Sequence, residues 1–312
     1  MSEQVHISAE PQKIAILGCG LVGASWAALF LHYGFNVRAW DPDTVALETL
    51  ADRIKGPMFQ LQSLGEGAKN LGNLNTFSEM GEAIQGVTFV QENAPEVIDL
   101  KKELYRKFEV FSPPEALIAS SASSFVWSVL SADMRAPNRL LTAHPFNPPH
   151  LIPLVEMYCP SKDTLDFAEK IYLSIGRVPI RLKREATGHI ANRLASALWR
   201  EAVNIVSEGI ADVDVVDAAL IHGPGLRWAV TGAHMTYHLG GGSGGMNDYL
   251  QHLGPSQELR WADLGTPNLS PEVCATLIAG VDIQAQGKTV AELEQIRDDG
   301  LLKILTARKS KS

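Results

Sequence analysis

Five stretches of the chain hold residue types and spacings that could do chemistry. Gly18-Cys-Gly20-Leu21-Val22-Gly23 is a glycine turn, and Asp41 follows it further along. In such a turn the first glycine permits a tight bend, and the second lets backbone approach a pyrophosphate closely. The third lets a helix pack against a strand, and an acid further on can accept hydrogen bonds from ribose hydroxyls. Gly18, Gly20, Leu21, Val22, Gly23 and Asp41 are therefore expected to hold a dinucleotide. The carboxylate of Asp41 would repel a 2′-phosphate, so NAD is expected rather than NADP. The second and third stretches are Ser120-Ser-Ala-Ser123-Ser124 and His144-Pro-Phe146-Asn147-Pro-Pro-His150. The fourth is Glu156, a carboxylate between Val155 and Met157 in an apolar run. A lone carboxylate there is costly unless paired, and an imidazole would offset the cost while becoming more basic. The fifth is Gly188-His-Ile-Ala-Asn192-Arg193.

The elements that must position these groups are legible as hydrophobic runs. Lys13–Leu17, the glycine turn, an Ala-rich stretch to Tyr33, and Phe35–Trp40 read as strand, turn, helix and strand. A helical stretch to about Ile54 follows, then the glycine-rich segment Gly56–Asn75, read as a helical hairpin or an exposed loop. Further strands are expected at Val87–Val90, the third in this reading, and at Ala116–Ala119, Arg139–Ala143 and Leu154–Tyr158. Val178–Leu182 is a late strand, and Pro179 argues for an edge position. Surface helices are expected over Leu100–Phe111 and from a cap at Asp163 to Ile175. From Thr187 onward the pattern is helical: Gly188–Glu208, Val213–Ile221, Trp228–Leu239, Asn247–Leu253 and Val290–Ala307. The expected fold is α/β, a Rossmann-type doubly wound, mostly parallel sheet over residues 1–185. An all-helical domain for substrate and dimerisation is expected over 186–312.

Composition excludes several function classes. The 312 residues carry a net charge of −8, which argues against a nucleic-acid surface or an anionic membrane partner. No uncharged apolar run is long enough to span a bilayer. Met1–His6 lacks a basic region and a hydrophobic core, so no signal peptide is expected. The basic end Arg308–Lys311 reads as a solvated terminus. Three scattered cysteines, Cys19, Cys159 and Cys274, suit a reducing cytoplasm. His234 and His238 share a helical face but lack a third ligand, so no metal is expected. The glycine run 240–245 follows a helix rather than a strand and reads as a flexible turn.

On the glycine turn with Asp41, the serine cluster, the His-x-x-Asn-Pro segment, Leu-Val-Glu156 and Gly-His-Ile-Ala-Asn-Arg193, the chain resembles the L-3-hydroxyacyl-CoA dehydrogenase superfamily. The resemblance covers nearly the whole chain. It implies His144 as general base, Glu156 as its orienting carboxylate, and Ser123 and Asn192 as groups around the reacting hydroxyl. It also implies Glu92, Lys101 and Asn147 near the cofactor, and a homodimer. At His189 the superfamily usually has an apolar aromatic. The histidine here could touch substrate or be a tolerated change.

His222-Gly-Pro-Gly-Leu-Arg227-Trp228-Ala and Tyr237-His-Leu-Gly-Gly-Gly-Ser-Gly-Gly-Met246 look like the branch that oxidises L-carnitine, a small hydroxy acid. That branch often has Gly-Pro where this chain has Gly232-Ala233. L-Gulonate and 3-hydroxyacyl-CoA are alternative substrates, and a crystallin-like protein without activity is the alternative of another class. A quaternary ammonium is best held by aromatic faces, for which Phe146, Trp199, Trp228 and Tyr237 are candidates. A carboxylate suits a bidentate arginine, for which Arg193 and Arg227 are candidates.

Overall fold

The computed structural model describes residues 12–65 and 67–309. The leader reading at Met1–His6 lies outside these, as do the last residues of the basic end, whose Arg308 and Lys309 close a helix. Two compact units are present: Met1–Arg193 with Arg297–Ser312, and Leu194–Ile296.

The first unit is built on an eight-stranded sheet of order β3-β2-β1-β4-β5-β6-β7-β8. Its strands are β1 Lys13–Leu17, β2 Asn36–Trp40, β3 Leu74–Phe77, β4 Phe89–Glu92, β5 Leu117–Ser120, β6 Leu140–Pro145, β7 Leu154–Tyr158 and β8 Val178–Arg181. All pairings are parallel except β6 with β7. Strand order reverses at β1, which is where open α/β sheets bind ligands. The register aligns Leu17 with Trp40 and with Glu92, Glu92 with Ser120, and Ser120 with Thr142. The glycine turn, Asp41, the serine cluster and His144 therefore emerge at one edge of the sheet. The antiparallel step sets His144 directly opposite Glu156.

Helix α1, Leu21–His32, is buried from Gly23 through His32. Its alanines keep it close to the sheet, and Trp26 and Phe30 fill the space with Tyr172 and Phe89. The other face of the sheet is covered by Leu104, Tyr105 and Phe108 of the helix Ile98–Phe111. The second unit consists of helices. Its described buried hydrophobic residues are Val203, Val213 and Tyr249, while Leu194, Leu198, Trp199, Trp228 and Trp261 are exposed.

Several elements differ from expectation. The glycine-rich segment contains the helix Lys55–Ser63 and then strand β3, so Phe89–Glu92 is the fourth strand, not the third. The sequence Leu-Asn-Thr-Phe77 has little apolar signal because this edge strand has one neighbour and is half exposed. Ser161, not Asp163, caps the helix Lys162–Ser174, its hydroxyl accepting from Thr164 N–H. The expected helix Trp228–Leu239 is divided between Pro224–Trp228 and Ala233–Gly240, and an unforeseen helix covers Pro271–Ala285. Residues 186–193 and the chain after Arg297 cluster with the sheet. Hydrogen bonds to Glu156 hold the first piece, and Gln60–Asp298 and Lys309–Leu64 hold the second.

A buried polar chain ties these pieces together. The His150 backbone N–H donates to Ser25 Oγ at 2.9 Å, and with a neutral imidazole the Ser25 hydroxyl donates to His150 Nδ1 at 2.7 Å. His150 Nε2–H then donates to Gln60 Oε1 at 2.5 Å, and Gln60 Nε2 to Asp298 Oδ2 at 3.1 Å. This assignment uses every group once and requires a neutral imidazole. Burial pushes the pKa of His150 down to about 4. Because the folded value lies below the unfolded one, the unfolded state binds the extra proton, and stability falls as pH drops from about 6.5 toward 4. The full shift corresponds to about 3 kcal/mol. His150→Phe is therefore expected to lower the unfolding temperature at neutral pH and to flatten its decline across that window. An unchanged decline in a pH series of thermal melts would contradict the neutral assignment.

Candidate active site

The glycine turn is built as a cradle. Gly18 adopts φ +86°, and a Cβ there would lie 2.7 Å from the Asn93 carbonyl. A Cβ on Gly23 would lie 1.8 Å from Gly18 O, so that glycine serves the packing of helix on strand. A Cβ on Gly20 would meet nothing within 4 Å. Gly20 thus faces open space, and the N-terminus of α1 behind it has no side-chain cap. Free N–H groups and the helix dipole there suit a pyrophosphate. Asp41 is held by N–H donors, with Cys19 N at 2.6 Å from Oδ2 and Asp43 N at 2.9 Å from Oδ1. Burial, then Asp41, pushes the Cys19 thiol up to about 12, so Cys19 is a structural residue.

Two cavities flank this turn. One, of about 310 Å³, is lined by Gly18, Gly20, Trp40 and Asp41. The other, of about 370 Å³, is lined by Val22, Glu96, Ser123, His144, Phe146, Asn147 and Asn192 among others. Asn93 and Ala94 line both. Residues of the glycine turn line both, Gly18 and Gly20 the first and Val22 the second, an arrangement that suits an extended dinucleotide.

In the larger cavity His144 is the central group. Its Nδ1 lies 3.1 Å from Glu156 Oε2, and Glu156 is fully buried. The other carboxylate oxygen accepts from Ile190 N at 2.7 Å and Ala191 N at 3.0 Å. Burial raises the pKa of Glu156, but the hydrogen bonds from His144, Ala191 and Ile190 outweigh it and hold the carboxyl below its ordinary value. An ionised Glu156 calls for Nδ1–H on His144, and in the neutral tautomer with that proton Nε2 is the free base. Asn192 Nδ2 lies 3.4 Å from that Nε2. A base on an oriented imidazole, with an amide beside it and the Ser123 hydroxyl in the same cavity wall, can deprotonate an alcohol.

Not every expected residue reaches the cavities. Glu92 and Lys101 form an ion pair of 2.7 Å that is buried on both sides. Tyr105 and Ser120 hydroxyls lie 2.7 Å from the other Glu92 oxygen, and Ala94 N donates to the pair at 2.6 Å. This cluster lies beneath the 93–95 loop and shapes it, without facing either cavity. Leu21 is exposed at the start of α1, and Arg193 is exposed outside the cavity lining. Trp199, Arg227, Trp228 and Tyr237 belong to the second unit. Tyr237 there lines an apolar cavity of about 470 Å³ with Tyr249 and Trp261. No group of three or more potential metal ligands occurs among the described residues.

Glu96 was not foreseen. Its Oε1 accepts from the N–H groups of Ser123, Ser124 and Phe125, holding the serine turn against the cavity. The only sequence signal was its position just after the β4 loop. His189 was foreseen only as a departure; its ring stacks on His144 at 4.8 Å between centroids.

Fold and site together define a dinucleotide-binding dehydrogenase. A family model described as 3-hydroxyacyl-CoA dehydrogenase, NAD binding domain, matches residues 13–186. The C-terminal domain of the same family matches residues 188–266. The chain belongs to the 3-hydroxyacyl-CoA dehydrogenase family, and NAD is its cofactor. An L-carnitine dehydrogenase of Streptomyces griseus is 40% identical over 301 residues, covering 95% of this chain and 90% of the relative. One from Nocardiopsis dassonvillei is 39% identical over 313 residues, covering 98% and 95%. Among solved structures, the NAD-dependent dismutase 5-formyl-3-hydroxy-2-methylpyridine 4-carboxylic acid 5-dehydrogenase superposes with a TM-score of 0.82 at 26% identity, covering 96% and 98%.

The open space at Gly20 gives a direct test of the cradle. Gly20→Ala should fold with an unchanged melting temperature, because its Cβ meets no protein atom within 4 Å. NADH affinity, read by fluorescence titration, should fall about tenfold or more, equivalent to at least about 1.4 kcal/mol. Unchanged NADH affinity would place the pyrophosphate elsewhere.

Proposed function

We propose that the protein oxidises the 3-hydroxyl of L-carnitine to 3-dehydrocarnitine with NAD. The observation that carries this is the similarity over nearly the whole chain to relatives named L-carnitine dehydrogenase, from 37 to 40% identical. Two features of the cavity support it. Glu96 is a carboxylate in the wall, and none of the described residues that line it is a lysine or arginine, which suits a substrate that carries a positive end. Phe146 offers an aromatic face of the kind that holds a quaternary ammonium. Trp199, Trp228 and Tyr237 are proposed as further aromatic contacts, and Arg193 and Arg227 as partners for the substrate carboxylate.

Bound NAD supplies the acceptor for the hydride leaving C3. His144 Nε2 takes the proton of the 3-hydroxyl as the C–O bond becomes a carbonyl. Glu156 holds the Nδ1–H tautomer and stabilises the imidazolium that results. Ser123 and Asn192 keep the oxygen in line while its charge changes. Gly18, Gly20, Leu21, Val22, Gly23, Asp41 and Asn147 are proposed to hold the dinucleotide, with Glu92 and Lys101 acting through the 93–95 loop.

We further propose a homodimer formed through the helical unit. Its exposed Leu194, Leu198 and Trp261 support this, since exposed apolar residues often mark an interface. Three unpaired cysteines, two of them buried, support a reducing compartment. None of the described helices is long and apolar enough to cross a membrane.

NADH formation would be followed with L-carnitine, D-carnitine, L-gulonate and 3-hydroxybutyryl-CoA. L-Carnitine should give the highest kcat/KM; preference for gulonate or the acyl-CoA would overturn the substrate assignment. His144→Ala should lower kcat by about 10²–10⁴-fold, and full activity in that variant would overturn the mechanism.

A further inference from the structure

His189 is nearly fully buried and lies between His144 and the serine turn. Its ring is parallel to that of His144, with 8° between the planes. Its Nε2 lies 3.0 Å from the carbonyl of Ala122, the residue before Ser123. A carbonyl can only accept, so Nε2 carries the proton and Nδ1 is a bare lone pair. That Nδ1 is buried without a hydrogen-bond partner among the described residues. The backbone at His189 is left-handed, φ +50°, and follows Gly188 at φ +75°. This turn sends the next two N–H groups, of Ile190 and Ala191, to Glu156. One residue thus touches the base through its ring, borders the pair of N–H groups that hold the base's carboxylate, and fastens the serine turn.

We infer that His189 is a positioning residue for the proton transfer, a neutral imidazole that holds the His144 ring and the Ser123 turn in mutual register. The inference rests on the dehydrogenase reading of this site. Neutrality is essential to the role. In the reaction His144 becomes an imidazolium, and a second cation stacked on it would oppose that charge. The groups around His189 act in both directions. Burial is the largest influence and lowers its pKa, and His144 lowers it as well. The Ala122 carbonyl, Glu156 and Glu96 raise it, but the net direction is down. An added proton would also sit on Nδ1, where nothing accepts it. An apolar aromatic at this position would keep the stacked face but lose the tie to Ala122.

Two measurements test this, one of which needs neither substrate nor cofactor. Nitrogen NMR of ring-labelled histidines, assigned by substitution, should find His189 as the Nε2–H tautomer, taking up a proton at lower pH than the exposed histidines. An Nδ1–H tautomer, or titration like an exposed histidine, would overturn the inference. In the second, His189→Phe and His189→Gln are compared on whichever hydroxy acid the wild type oxidises best. His189→Phe should lower kcat about tenfold, the scale expected from a small misplacement of reacting groups. NADH affinity and KM should hold within about threefold, because neither cavity is lined by His189. His189→Gln, which restores a donor of similar reach to the Ala122 carbonyl, should recover part of the loss. A Phe variant with wild-type kcat, or a Gln variant no better than Phe, would reduce His189 to packing and overturn the inference. Failure on L-carnitine with turnover of another acid would strike the substrate assignment alone.

Discussion

The carboxylate of Glu156 has no access to water, and each of its oxygens binds a different piece of chain. One oxygen receives the His144 ring; the other receives two backbone N–H groups at the start of the helix Ala191–Ser207. An isolated carboxylate buried this deeply would cost several kcal/mol, so each partner is held there by the need to satisfy it. The single antiparallel step of the sheet, β6 against β7, makes this possible by setting His144 and Glu156 face to face. Asn192 then falls beside the free nitrogen of the base because it follows the two donating residues directly.

The cofactor side obeys a different constraint, steric rather than electrostatic. Gly18 and Gly23 are glycines because protein atoms occupy the place of a Cβ, whereas Gly20 is one with no protein atom there. The cofactor helix and the loop after β6 are linked by the buried Ser25–His150 hydrogen bond. Arg177 adds to this by donating to the Pro149 carbonyl at 2.9 Å. Phe146 and Asn147 sit on that loop, so this wall of the cavity and the helix after the glycine turn are held by one network.

Much of this was legible in the residues themselves. The alternation of apolar runs with glycine stops marked the parallel sheet, and a carboxylate inside an apolar strand pointed to a histidine partner. Strand β3 was not legible, because an edge strand of four half-exposed residues needs no apolar stripe. Nor were the roles of Glu92 and Glu96, which flank one short loop. Glu92 faces inward to Lys101, and Glu96 faces the serine turn, and only the path of the backbone separates them. The function of His150 was hidden for a related reason. Its partners Ser25, Gln60 and Asp298 are scattered along the chain and carry no motif.

The account stands on transfer of hydrogen from C3 of the substrate, with His144 taking the hydroxyl proton. L-Carnitine deuterated at C3 tests this most directly. Incubated with the protein and NAD, it should yield reduced cofactor carrying the deuterium, detected by mass spectrometry, with 3-dehydrocarnitine formed in equal amount. Reduced cofactor without the label, or no reduced cofactor from L-carnitine at all, would contradict it.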